Sequence, residues 1–195
     1  MENQPLESEL DDAELVRLSL ADPATFSLII ARYKDKLLRY VRRLGASNLE
    51  DAEDILQDLF LKVYLNLNEF NQSLKFSSWI YRIAHNEAIS HFRKRQARPE
   101  AYSIPLDTPG LQLLANDLAL DRHVDGILRD EAVSKALMKI DARHREIIIL
   151  KFFEEKNYNE ISDILKKPLG TIASLLNRAK KSLRDEMPSK WHEVK

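Results

Sequence analysis

From about Leu169 to Glu186 the side chains divide by type. Leu169, Ile172, Leu176, Ala179 and Leu183 recur at steps of three and four, while Thr171, Ser174, Asn177, Arg178 and Lys181 project from the other side. Small polar and basic groups on an outward helix face suit a DNA major groove. There arginine can bind guanine through two hydrogen bonds, asparagine can do the same to adenine, and flanking lysine can meet phosphates. The competing reading is a basic helix that serves only solubility. Against it, the stretch from Lys166 to Arg184 holds six bases (Lys166, Lys167, Arg178, Lys180, Lys181 and Arg184) and no acid, whereas ordinary exposed helices interleave both signs.

Two more constellations stand in the first half of the chain. Arg82, Asn86, Ile89 and Arg93 align on one helix face beside Trp79, Tyr81 and the loop before them. Cations, an amide and aromatic rings together suit single-stranded DNA, whose bases stack on rings while arginines hold phosphate. For Trp79 taken alone, core packing is the stronger reading. On the preceding helix, Asp54, Gln57, Asp58, Leu61 and Leu65 share the face opposite the apolar stripe. Acids beside exposed leucines suit a protein partner, and ordinary surface is the alternative, since single exposed leucines are common.

These residues need helices to hold them, and the pattern supplies only helices. A short one is expected around Ala13 to Leu20. Asp22 and Pro23 then read as N-cap and first helical residue of a helix ending near Gly45, with Phe26, Ile29, Tyr33, Leu37, Tyr40 or Val41, and Leu44 turned inward. Asn48 caps the next, with Glu50 and Asp51 in a first turn that favours negative charge and Ala52, Ile55, Leu59 and Val63 buried. After a loop from Asn68 to Lys75, Ser77 or Ser78 opens a helix whose Trp79, Ile80, Ile83, Ala84, Ala88 and Phe92 face the core. From Arg98 to about Arg122 the periodicity breaks at Pro99, Pro105, Pro109 and Gly110, which predicts a linker with one short helical piece around Leu111 to Leu120. A second helical set follows: Val124 to Ile140, a helix capped by Asp141 and running through Glu154, Asn157 to Leu165, and the last helix. Asn157 and Glu160 have capping-box spacing. The expected fold is all-α: two small helical domains, residues 1–97 and 123–195, joined by a flexible linker over 98–122.

Composition narrows the chemistry further. Of the 195 residues 44% are hydrophobic and 31% charged, as in a soluble globular protein, and only 4 are Gly, which disfavours glycine-rich phosphate loops. The absence of Cys removes disulfides, thiolate metal sites and cysteine nucleophiles. Five scattered His show no Glu-x-x-His or His-x-x-x-His spacing, so no enzyme, metal or cofactor is expected. The net charge of −1 hides strong segregation, because Arg93, Lys94, Arg95 and Arg98 form a second basic cluster while acids gather at Glu50, Asp51, Glu53, Asp54 and Asp58. The acidic start of the chain is the opposite of a secretory signal, and no apolar run reaches the roughly 20 residues of a membrane span. A cytoplasmic protein without membrane insertion is expected.

At this point two stretches carry a resemblance. Glu50 to Phe60 (EDAEDILQDLF) with Phe76 to Asn86 (FSSWIYRIAHN) resembles conserved region 2 of extracytoplasmic-function sigma factors of bacterial RNA polymerase. Ile140 to Arg184, with Arg145 to Leu150 (REIIIL), Tyr158 to Ile161 (YNEI) and Pro168 to Ile172 (PLGTI), is similar to region 4. The resemblance implies a transcription initiation factor that directs core RNA polymerase to particular promoters. Asp54, Gln57, Asp58 and Leu61 would then dock on the clamp helices of the polymerase largest subunit, and region 4 would meet the flap of the second-largest. Asn71, Lys75, Trp79, Arg82, Asn86 and Arg93 would melt and capture the −10 element, while Thr171, Ser174, Asn177, Arg178 and Lys181 would read the −35 element. An anti-sigma protein joins core polymerase and promoter DNA among the implied partners. The chain departs from the family at Ala173 and Leu175, where bases are usual, and at Lys166, where the turn normally holds Gly; a left-handed backbone there would cost roughly 1 kcal/mol. Two other readings stay in competition: a stand-alone helix-turn-helix regulator acting without polymerase, and a protein-only adaptor that binds no DNA.

Overall fold

A computed structural model describes residues 10–46, 48–95 and 126–187, and the structured part among them is helical throughout. The first helix, α1 (Asp12–Ala21), is opened by a reciprocal capping box in which the Asp11 carboxylate accepts the Glu14 N–H and the Glu14 carboxylate accepts the Asp11 N–H. Asp22 then caps a single 3-10 turn at Pro23–Thr25 that leads into α2 (Phe26–Leu44). The expected apolar stripe of α2 is buried throughout, with both Tyr40 and Val41 inside, and Gly45 at φ 135° ends the helix in a conformation that suits glycine. Helix α3 (Leu49–Asn66) is capped by the Asn48 side chain, and α4 (Phe76–Arg95) completes a bundle in which α2, α3 and α4 pack on one another. The predicted linker and its helical piece around Leu111 to Leu120 lie outside the described residues.

The second domain comprises α5 (Gly126–Lys139), α6 (Ala142–Ile148), α7 (Tyr158–Leu165) and α8 (Leu169–Glu186). Asp141 caps α6 as expected, but the helix predicted to run through Glu154 widens into a π-helical segment over Ile149–Phe153. The widening follows from packing, because Ile149, Leu150, Phe152 and Phe153 are all buried and the wider turn sends adjacent side chains inward. Arg145 fixes the approach of α5, its guanidinium donating to the carbonyls of Leu137 at 2.9 Å and Met138 at 3.2 Å near the end of that helix. Asn157 and Glu160 form the expected capping box at the start of α7.

The sequence pattern separates the two helical sets without saying how they meet. In the structure they share one apolar core, and α4 of the first set packs along α7 of the second. The tether is therefore accompanied by a direct contact that periodicity did not reveal.

The turn between α7 and α8 bears out the expectation at Lys166, which adopts φ 52° and ψ 45° and closes α7 through its N–H to the Ser162 carbonyl. A side chain is disfavoured there, so Lys166→Gly should raise stability by up to about 1 kcal/mol, less the entropy that glycine returns to the unfolded chain. Thermal melts of the two proteins check this; a lowered melting temperature would contradict it.

Candidate nucleic-acid interface

Helix α8 turns Ile172, Leu176, Ala179 and Leu183 into the core, chiefly against α6. Thr171, Ser174, Asn177, Arg178 and Lys181 are all exposed, so the structure brings the five groups onto one outward face. The turn that presents them is tied down twice: the Ser162 hydroxyl donates to the Lys167 carbonyl at 2.6 Å, and the Lys167 N–H donates to the Ser162 carbonyl at 3.2 Å. Ala173 and Leu175 are half-buried, and Leu175 packs against the core, so that position contributes packing rather than charge.

On the first domain the predicted residues divide. Asn71 lies in a tight turn, its side-chain oxygen accepting the Ser73 N–H at 3.0 Å and its carbonyl accepting the Leu74 N–H at 3.0 Å. Arg82 is half-buried, Asn86 and Arg93 are exposed, and Asn86 and Arg93 line a groove with His85, Ile89 and Lys94. Trp79 is half-buried, its ring centroid 5.1 Å from that of Phe70 and 5.6 Å from that of Phe76, as core packing requires. Lys75 is exposed but pairs with Glu160 at the start of α7, 3.1 Å away. Tyr81 corrects the sequence reading. Grouped there with an exposed aromatic surface, it is instead 3% exposed, because its ring lies in the seam between α4 and the second domain.

Asp54, Gln57, Asp58 and Leu61 are all exposed along α3, with Leu65 continuing the face. Leu61 and Leu65 retain 57% and 64% of their accessible surface, so two large apolar side chains stand uncovered beside two acids.

Residues 29–98 match the sigma-70 region 2 family and residues 136–185 match sigma-70 region 4. The chain is 32% identical to the ECF RNA polymerase sigma factor SigW of Bacillus subtilis over 177 residues, covering 85% of this chain and 90% of that one. It belongs to the extracytoplasmic-function sigma factors. The RNA polymerase sigma-H factor of Pseudomonas aeruginosa is similar at 28% identity over 91% of this chain and 94% of its own. Among solved structures, CnrH in complex with the cytosolic domain of CnrY shares the fold at a TM-score of 0.65 and 21% identity, over 89% of this chain and 95% of CnrH. RpoE from Bartonella quintana, solved with the anti-sigma factor NepR, shares it at 0.62 and 24%, over 83% and 95%. This sigma factor is accordingly a promoter-specific initiation factor for RNA polymerase, in a family that acts without catalysis. No helix among its described residues is long and apolar enough to cross a membrane.

What the sequence reading of this sigma factor missed is the polar seam between its regions. Arg43, 2% exposed, sits one residue before the end of the α2 stripe and pairs with Glu154 at 2.6 Å. The other Glu154 oxygen accepts the Tyr81 hydroxyl at 2.7 Å. Further along, His85 Nε2 stands 3.7 Å from Glu146, whose carboxyl is pushed up to about 7 by burial. Burial, with Lys167 and Arg93, holds His85 down at about 4, so at neutral pH the imidazole is uncharged. A run of single acids and one histidine on otherwise apolar faces is the only sequence trace of this seam.

The two shifts act on stability in opposite directions. Glu146, raised from 4.5, stabilises the folded form below that value and loses the contribution as pH climbs toward 7. His85, lowered from 6.5, contributes above that value and loses it as pH falls toward 4. Between these limits the slopes cancel. His85→Gln removes one of them, so the variant should gain stability relative to the parent as pH falls from about 6.5 to 4, by about 1.4 kcal/mol per pH unit. Denaturant midpoints across that range measure the difference, and a difference independent of pH would contradict a buried neutral His85.

Proposed function

We propose that this sigma factor reads the −35 element through the outward face of α8 and the −10 element through α4 and the turn before it, while the acid and leucine face of α3 docks on core polymerase. The observation that carries the reading is the exposed set Thr171, Ser174, Asn177, Arg178 and Lys181 on a helix held by a rigid turn, in a stretch from Lys166 to Arg184 free of acids. Leu175 supplies no charge, so Arg178 bears more of the recognition. Residues 1–97 and 123–195 are assigned to the two functional units and 98–122 to their linker. A cytoplasmic protein without enzymatic activity, open to control by an anti-sigma protein, fits this reading.

Arg178→Ala should reduce −35-dependent transcription and leave the melting temperature nearly unchanged, because the side chain points away from the core. Loss of a two-hydrogen-bond base contact costs about 1 to 3 kcal/mol at one base position, whereas loss of a phosphate contact weakens all sequences alike and flattens the salt dependence. Transcription from −35 variants at two salt concentrations distinguishes these modes, and full activity on every variant would remove Arg178 from the interface.

Asp54→Arg with Asp58→Arg should weaken assembly with core polymerase at unchanged helicity, since both carboxylates are exposed opposite the buried stripe. Pull-down by core enzyme tests this, and undiminished binding by the charge-reversed, folded chain would place docking elsewhere.

A further inference from the structure

A cleft of about 660 Å³ opens where α2 faces the turn after the π-helical segment, a volume within the range of small-molecule sites. None of its lining residues belongs to the promoter-facing sets or to the acid and leucine face of α3. Four bases line it, Arg32, Lys36 and Arg39 from α2 and Lys156 from the turn, together with Asp12, Glu154 and Glu155. Two of these acids are already engaged. Asp12 accepts the Arg32 guanidinium at 3.3 Å and the Tyr33 hydroxyl, and Glu154 accepts Arg43 and Tyr81. Lys36, Arg39 and Lys156 are then left facing a single carboxylate, Glu155, which has no ion pair among the described residues. The cleft therefore carries an excess of two positive charges.

The backbone around these groups is fixed. The Glu154 N–H donates to the Ile149 carbonyl at 3.0 Å and the Lys156 N–H to the Leu150 carbonyl at 2.9 Å, so the turn closes on the π-helical segment. Glu155, between them, sits at φ 52°, a left-handed conformation that a side chain disfavours. Widened helical turns and left-handed residues concentrate at functional sites, where a ligand is gripped. The Lys156 ammonium stands 4.2 Å from the centre of the Tyr81 ring and that of Lys36 5.9 Å from the Tyr33 ring. Each ammonium has three donors, and a ring face leaves them available to an acceptor. Burial lowers the Lys156 pKa and repulsion from Lys36 adds to it, while Glu160 and Glu154, both already paired, pull the other way. An anion placed between the two lysines relieves that repulsion. We propose that this cleft binds a compact anion carrying two or more phosphate groups, held by Lys36 and Arg39 on one wall and Lys156 on the other. Two or more negative charges match the excess. Donors arrive from opposite walls, which a tetrahedral phosphate accepts in several directions and a planar carboxylate only near its own plane.

Calorimetric titration of the full chain with pyrophosphate, ATP and citrate tests the site. Pyrophosphate and ATP should bind at one per chain, and citrate more weakly than either. Tighter binding of ATP than of pyrophosphate would place the nucleoside in the cleft as well, and equal binding would assign the affinity to the phosphates alone; both outcomes support the site. Lys156→Gln and Arg39→Gln should each weaken pyrophosphate binding about tenfold, because each removes a charge-assisted contact. Glu155→Gln should tighten it several-fold by removing the opposing carboxylate. Lys34→Gln, an exposed base of α2 outside the cleft, should change it by less than about twofold. Lys36→Gln, at an exposed position, decides the matter if Lys156→Gln loses helicity. The site is overturned if folded cleft variants bind pyrophosphate as the parent does, if Lys34→Gln weakens binding as much as Lys156→Gln, or if citrate binds as tightly as pyrophosphate. A single-stranded oligonucleotide that displaces ATP and is weakened by the same substitutions would also overturn it, by making the cleft part of the DNA path. Because the cleft shares no residue with the promoter and polymerase faces, its failure would leave the promoter-factor reading untouched.

Discussion

Arg43 places its guanidinium where almost no water reaches it. Removing a cation and a carboxylate from solvent costs several kcal/mol per ion, a penalty met only when geometry is good and the remaining hydrogen-bonding positions are filled. Here the 2.6 Å contact to Arg43 and the Tyr81 hydroxyl occupy the two Glu154 oxygens, and the Phe153 ring lies against the guanidinium. These groups come from three separate segments of the chain, so the pair cannot form until α2, α4 and the π-helical end of α6 are in register. The π segment has a place in this arrangement: it ends at Phe153, directly before Glu154, and its widened turn precedes the carboxylate that crosses the seam.

Helix α4 is consequently asked for two things. Ile80, Ala84 and Ala88 bury against its own bundle, while Tyr81 and His85 meet the second domain, and Asn86 and Arg93 remain on the solvent side. A helix with two buried faces retains only a narrow strip for a ligand. That narrowness accounts for the mixed placement of the −10 candidates, with Trp79 half in the core and Lys75 paired, in contrast to α8, where all five candidates point outward.

Much of this was legible in the residues. The stripes of α2, α3 and α8, the Asn48 and Asp141 caps and the Asn157 to Glu160 box follow from local spacing, which acts within one helix and needs no knowledge of neighbours. The left-handed Lys166 was signalled by the family resemblance, in which glycine is usual at that turn, and not by local spacing. Arg43, Tyr81 and Glu154 were not, since nothing local distinguishes a buried arginine near a helix end from a solvated one; the distinction arises 111 residues away in sequence. The π-helical widening was hidden for a similar reason, as Ile147 to Leu150 reads equally well in a regular helix and only packing selects the wider turn.

Charge segregation links the fold to its use. A net charge near zero conceals an acid-free stretch from Lys166 to Arg184, while acids cluster on α3 where two leucines stand exposed. On the proposed assignment, long-range attraction to DNA comes from one end of the chain and attraction to a protein surface from another. The most direct measurement is in vitro transcription of fragmented bacterial DNA by core RNA polymerase, alone and with this sigma factor, with transcript starts mapped. The account predicts a new set of starts that share −10 and −35 sequences and appear only when both proteins are present. Unchanged starts, or repression at sites bound without polymerase, would contradict it.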